Sequence, residues 1–211
     1  MLPLSDGIPA RRFPFVNVAI IVANFAVWLF YELPDLNHAV IQLAFFPCEV
    51  ENTCRTVGQS WEVTAVSSMF MHGSWLHILG NMLFLWIFGN NVEDAMGRVK
   101  FVVFYFLAGF AALALQSLIT LTTAPAQDAT VPFLGASGAI SGVLGAYLVL
   151  LPRAGVLSLL FFFIPIVVPA WVFLVIWFGF QLISSSASLQ HPESGGGVAF
   201  FAHIGGFVFG L

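Results

Sequence analysis

Ser137 lies in the string Gly135-Ala136-Ser137-Gly138-Ala139-Ile140-Ser141-Gly142, where a polar loop gives way to an apolar run of membrane length. Two further polar stretches sit in equally apolar surroundings: His72, His77 and Asn81 upstream, and His203 downstream. A hydroxyl, an imidazole and an amide are costly in hydrocarbon, so such groups face a cavity or a partner. They are also the groups that acyl transfer needs: a nucleophile, a base that takes its proton, and a donor for the oxyanion. The serine string supports a second role. Gly138 and Gly142, and likewise Ser137, Ser141 and Gly145, stand at i, i+4 spacing, the small-residue face on which membrane helices approach closely. The two roles are compatible, because a serine at a helix N-terminus sees free backbone N–H groups and the positive end of the macrodipole.

His203 follows Ala202 and precedes Gly205, Gly206 and Gly210. Gly206 and Gly210 form a G-x-x-x-G face that matches the small face around Ser137. If the two faces meet, His203 comes within hydrogen-bond reach of Ser137. Neither segment holds an Asp or Glu, so the pair is expected to be a dyad. His77 and Asn81 share a helix face at i, i+4, and both can donate to an oxyanion. His72 is five residues before His77, poorly spaced for two metal ligands on one face, and no acid completes a shell. Neither a metal nor a cofactor is expected. Ala139 breaks the G-x-S-x-G elbow of soluble α/β-hydrolases, which removes that fold.

These residues must be positioned by membrane helices. The 211 residues are 60% apolar and only 8% charged, with a mean hydropathy of +0.98; so few charges cannot cover a soluble domain. Apolar runs predict an all-α polytopic protein, a single domain over 1–211 with six transmembrane helices near 14–31, 74–89, 99–121, 136–151, 169–183 and 198–211. As one helix, 156–183 would be about 42 Å long, too long for a bilayer core of about 30 Å. Pro165 and Pro169 interrupt it, so the span is placed after Pro169 and 156–168 is expected to be interfacial or re-entrant. The last span has 14 residues and is expected to be truncated. No small-residue cleavage site follows Arg11 and Arg12, so no signal peptide is expected. Arg11, Arg12, Arg98, Lys100 and Arg153 fall on one side of the alternating spans and only Arg55 on the other, which predicts a cytoplasmic N-terminus. Cys48 and Cys54 lie in the outward loop, as two free thiols or as a local disulfide that an oxidising compartment permits.

The chain resembles the rhomboid intramembrane serine proteases. The likeness rests on H-x-x-x-x-H-x-x-x-N at His72, His77 and Asn81, on G-x-S-G at Gly135 to Gly138, and on A-H-x-x-G-x-x-x-G at Ala202 to Gly210. Glu93-Asp94-Ala95-Met96-Gly97-Arg98 adds the turn after the second span, and together these cover about 60–211. The resemblance implies six helices around a water-accessible cavity, with Ser137 as nucleophile and His203 as general base. It implies an oxyanion hole from Asn81, His77 and the Ser137 backbone N–H, with Gly135, Gly138, His72, Gly206 and Gly210 in support. The implied activity is endopeptidase cleavage of transmembrane segments, with a small residue before the scissile bond; a catalytically inactive scaffold that binds such helices is the alternative. The expected partners are transmembrane-helix substrates and the bilayer, without nucleic acid. The expected setting is a prokaryotic plasma membrane, the site opening outward. Two departures stand out. Glu62 follows Trp61 where many members have Trp-Arg, and Ser141 occupies the place where some relatives stack an aromatic ring on the histidine. The Ser141 hydroxyl is therefore expected to orient His203. Ser184-Ser185-Ser186 with Gly195-Gly196-Gly197 is either a mobile outward cap or a plain linker.

Overall fold

The computed structural model describes residues 1–54, 58–123, 125–161, 163–190 and 199–211, and they are mostly helical. Helix α1 (Phe15–Val27) continues through a π turn at Trp28–Glu32. Three short helices follow, α2 (Leu36–Leu43), α3 (Pro47–Val50) and α4 (Trp61–Ser67). Helix α5 (Trp75–Phe84) passes through a second π turn, Leu85–Gly89, into α6 (Asn90–Met96). Gly97, at φ +81°, ends this rod, which thus runs beyond the span expected at 74–89. Helices α7 (Arg98–Thr123), α8 (Ser137–Leu150), α9 (Ala170–Gln190) and α10 (Phe200–Gly210) complete the bundle. Phe15–Glu32 and Arg98–Thr123 are long and apolar enough to cross a membrane; α8, α10 and the Ala170–Ser185 part of α9 are shorter apolar helices.

The mostly helical chain fits the all-α expectation, with one small sheet added. Strands β1 (Leu2–Ser5), β2 (Gly155–Leu160) and β3 (Ile164–Pro169) form an antiparallel sheet in the order β1-β2-β3. The stretch expected to be interfacial or re-entrant is a hairpin, with Val156 opposite Val168 and Leu159 opposite Pro165. Its β-branched residues suit a strand. Its prolines lie on the edge strand β3, where a missing N–H costs the ladder little. One correction concerns Ser184-Ser185-Ser186, which is helical rather than part of a loop. Ser185 Oγ donates to the Leu182 carbonyl at 2.8 Å, satisfying its hydroxyl within the helix. Gly195-Gly196-Gly197 lies outside the described residues. Cys48 and Cys54 are disulfide-bonded, so of the two alternatives the local bridge holds.

Helix α8 is the centre of the core. Every residue from Gly138 to Tyr147 is buried, so no face of this stretch is left for lipid. The glycines explain how two helices crowd against it. A Cβ on Gly206 would lie 2.0 Å from the Gly138 carbonyl oxygen, and one on Gly210 2.1 Å from that of Gly142. On the other side, Ala108 and Ala112 of α7 fill the spaces beside Gly142 and Gly138. The small faces foreseen on α8 and α10 therefore meet backbone to backbone.

Polar groups fasten the remaining elements. Pro14 gives α1 no side-chain cap, and the Glu93 carboxylate supplies one by accepting the Val16 and Asn17 N–H groups at 3.2 and 2.7 Å. Asn17 Nδ2 then donates at 3.0 Å to the carbonyl of Leu85, the first residue of the π turn. At the far end of α8, Tyr147 donates to Asp6 at 2.8 Å, and Asn91 donates to the same carboxylate oxygen.

Gly206→Ala should destabilise the fold by about 1–3 kcal/mol or more, because backbone must move to admit a methyl group. Gly179→Ala, where no side chain or neighbouring element among the described residues stands within 4 Å of the added carbon, should be neutral or stabilise by roughly 0.5–1 kcal/mol. Thermal unfolding of the two purified variants checks both signs.

Candidate active site

Ser137 is the first residue of α8, so its N–H has no intrahelical partner. The chain reaches it through Gly135, at φ +129°, whose N–H donates to the Ser68 carbonyl at 2.8 Å. A Cβ at Gly135 would sit 2.9 Å from Cε1 and Nε2 of His77. Backbone conformation and proximity both demand glycine here, and its absence of side chain lays the His77 ring against the serine loop.

Helix α5 presents His77 and Asn81. Ser74 caps this helix, its Oγ accepting the His77 N–H at 3.2 Å. His77 Nδ1 accepts a long bond from the Gly73 N–H at 3.4 Å, which leaves Nε2 on the side of the Gly135 loop. Asn81 is buried, and among the described residues its Nδ2 has no hydrogen-bond partner. An unmatched buried amide donor is costly, and here it lines the cavity that also holds Ser137. His72 is fully buried, its ring edge-on to His77 with centroids 5.0 Å apart. Its N–H donates to Glu32 Oε1 at 2.6 Å, so the end of α1 holds the segment leading into α5.

His203 comes from α10. Its Nε2 is 2.9 Å from Ser137 Oγ, and its Nδ1 is 2.9 Å from Oε1 of Gln181 on α9. Helix α10 is itself fixed at its start by Gln116 of α7, whose Oε1 accepts the Ala202 N–H at 3.1 Å. Trp177 and Phe200 flank the imidazole, with centroids 6.1 and 6.5 Å away. His77, Asn81, Ser137, Trp177, Gln181 and His203 line a cavity of about 260 Å³ between α5 and α9, with α8 behind it. The arrangement unites a hydroxyl, a base on that hydroxyl, and donors on the opposite wall.

The family model described as Rhomboid domain matches residues 57–211. The chain belongs to the rhomboid family. It is 30% identical over 157 residues to Rhomboid protein 1, mitochondrial, of Saccharomyces cerevisiae, covering 71% of this chain and 40% of that protein. It is 28% identical over 142 residues to Putative rhomboid protease YdcA of Bacillus subtilis, covering 65% and 63%. Rhomboid protease GluP of the same bacterium is 34% identical over 98 residues, covering 46% and 17%. The chain thus spans less than two thirds of the length of each of these relatives. As a rhomboid it is a membrane-integral protein.

Within this rhomboid site, Ser137, His203, His77 and Asn81 line one cavity and Gly135 lies on the loop beside it, while Gly138, Gly206 and Gly210 act one layer away in the helix contact. His72 stands behind His77 rather than on the cavity. Ser141 requires a correction. Its Oγ donates to the Ser137 carbonyl at 2.7 Å, and both ring nitrogens of His203 are engaged elsewhere, so Ser141 does not orient the imidazole. A hydroxyl inside a helix readily bonds the carbonyl one turn back, and that local acceptor wins. Gln181 holds the ring instead. It was legible as the one amide in the apolar run 170–183, by the same cost of polar groups in hydrocarbon that marks His203. Gln116 carried the same signal.

Ser141→Ala should therefore leave the geometry of His203 unchanged. The contact it loses is within one helix, and turnover should stay within roughly 3-fold of the parent. Ser141→Tyr should fail to fold normally, because the site is almost fully buried and overpacking a core is costly. Turnover and thermal stability of the two variants test this.

Proposed function

We propose that this rhomboid is an intramembrane serine endopeptidase that cleaves transmembrane segments of other membrane proteins. The observation that carries the proposal is the 2.9 Å contact between Ser137 Oγ and His203 Nε2. That distance lets the imidazole take the hydroxyl proton as Oγ attacks a carbonyl carbon. The tetrahedral oxyanion would then lie against the Ser137 N–H, Asn81 Nδ2 and His77. Collapse expels the amine, which takes the proton from His203 and leaves an acyl-serine. Water, deprotonated by the same base, releases the acid and restores the hydroxyl. No metal or cofactor is needed at any step, and no nucleic acid takes part.

Six spans and a cytoplasmic N-terminus complete the proposal. Arg12 and Arg98 line one pocket, so two of the cation-bearing segments share an end of the molecule. Arg153 follows α8 at the end away from Ser137. Positive-inside places that end in the cytoplasm, with the cavity at Ser137 open to the outer side of a prokaryotic plasma membrane. The Cys48–Cys54 bridge suits that side. A substrate helix has its amides paired and must unwind locally before a carbonyl reaches Ser137. That favours Gly or other weak helix formers near the cut, with a small residue before the scissile bond.

Ser137→Ala and His203→Ala should each abolish cleavage of a transmembrane reporter in proteoliposomes while the protein still inserts and purifies. Asn81→Ala should lose rate by roughly 10- to 1,000-fold, since one oxyanion donor contributes up to about 4 kcal/mol and others remain. Product formed by pure Ser137→Ala would overturn the nucleophile. A wild-type protein that binds the reporter without cutting it would be a scaffold.

A further inference from the structure

We infer that Gln181 is the positioning residue of the base, its side-chain carbonyl holding His203 with the proton on Nδ1 and tying that state to the packed position of α9. The inference rests on the proposed endopeptidase chemistry and adds a third member to it. Gln181 is 5% exposed, and its Oε1 stands 2.9 Å from His203 Nδ1. A carboxamide oxygen only accepts, so Nδ1 carries the hydrogen and the Nε2 lone pair faces the Ser137 hydroxyl. The opposite tautomer would turn an N–H toward Ser137 and leave no base.

Among the described residues, Gln181 is the acceptor on Nδ1 of the His203 ring. Trp177 and Phe200, the aromatics beside it, offer no acceptor for Nδ1–H. Neither α8 nor α10 contains a carboxylate. Ser141 is bonded to its own helix. A neutral amide also suits a site within a membrane-integral fold, because it orients the ring without burying a charge. During attack the Ser137 proton moves to Nε2, and the imidazolium keeps its Nδ1–H on Gln181. When the amine leaves, Nε2–H goes with it, and the Nδ1 bond is never broken.

The position of α9 matters for the same reason. Its start is fastened by the Ala170 and Trp171 N–H groups, which donate to the Ala154 and Pro152 carbonyls at 2.8 and 2.9 Å. Phe178 stacks on Phe207 of α10, with centroids 4.5 Å apart, three residues before Gln181. Since α9 forms one wall of the cavity, moving it outward withdraws Oε1 from Nδ1. The base is then oriented only while that wall is in place.

The test compares Gln181→Met, equal in length and lacking the acceptor, with Gln181→Glu, which keeps an acceptor oxygen whether or not it is ionised. The readouts are kcat and KM in proteoliposomes, and ¹⁵N spectra of histidine-labelled protein with His203→Gln for assignment. We expect Gln181→Met to lower kcat roughly 10- to 100-fold, less than the full worth of a general base, with KM within about 3-fold. Gln181→Glu should recover most of the rate. The parent spectrum should show His203 protonated at Nδ1, and Gln181→Met should mix the tautomers. Wild-type kcat in Gln181→Met overturns the inference, as does a parent spectrum with the proton on Nε2. Loss of rate in both variants with an unchanged tautomer makes Gln181 a packing residue and overturns it too. If the parent neither cuts the reporter nor reacts with a serine-directed phosphonate, the endopeptidase proposal fails, while the spectra still decide Gln181.

Discussion

The arrangement depends on the contact between the backbones of α8 and α10. Gly206 lies against the Gly138 carbonyl and Gly210 against that of Gly142, at a separation that excludes even one methyl group. Without a hydrophobic driving force between helices in lipid, such close packing is a main source of association. It also sets the scale of the site. With α10 this near, an imidazole three residues before Gly206 reaches a hydroxyl at the head of α8 at 2.9 Å. A wider helix pair would leave the same two residues unable to exchange a proton.

The second constraint is that polar groups inside the bundle need partners. Glu93 caps α1, Asn17 answers the carbonyl of the π turn, Glu32 takes the His72 N–H, and Gln116 takes the Ala202 N–H. Each removes an unmatched backbone group and joins two segments distant in sequence. Asn81 is distinguished by its place: among the described residues its buried Nδ2 has no partner, and it stands on the cavity wall opposite Ser137. In the proposed reaction, a donor left open beside Ser137 costs stability in the resting state and is matched when the oxyanion forms.

What could be read from the sequence follows the same division. His203, Ser137, His77 and Asn81 were legible because polarity in an apolar run is conspicuous, and the glycine spacing disclosed which helices would meet. The sheet was not legible. Its hairpin is uncharged and as apolar as a membrane helix, and the pairing of β2 with β1 joins residues more than 150 apart in sequence. Ser141 was misassigned because helical spacing gives the face of a side chain but not which acceptor it prefers. Gln181 was passed over although it obeyed the rule that exposed His203. An amide on a helix without a motif draws less notice than a histidine beside glycines.

The neutrality of Ser137, His203 and Gln181 has an energetic logic. A buried aspartate in the third position would carry a permanent charge in a low-dielectric setting, at a cost of several kcal/mol even after relaxation. The amide avoids that cost in the resting state of the proposed protease. In the proposed reaction charge arises only as the serine proton moves, when imidazolium and oxyanion form together. At about 4 Å and an effective dielectric constant of about 20, their attraction is on the order of 4 kcal/mol. That matches the upper end of what one oxyanion donor contributes, about 4 kcal/mol, so the pair and a single donor carry comparable shares of the stabilisation. A neutral third member is therefore sufficient if it keeps the lone pair on the serine, because the transition state supplies the counter-charge that a carboxylate would otherwise provide.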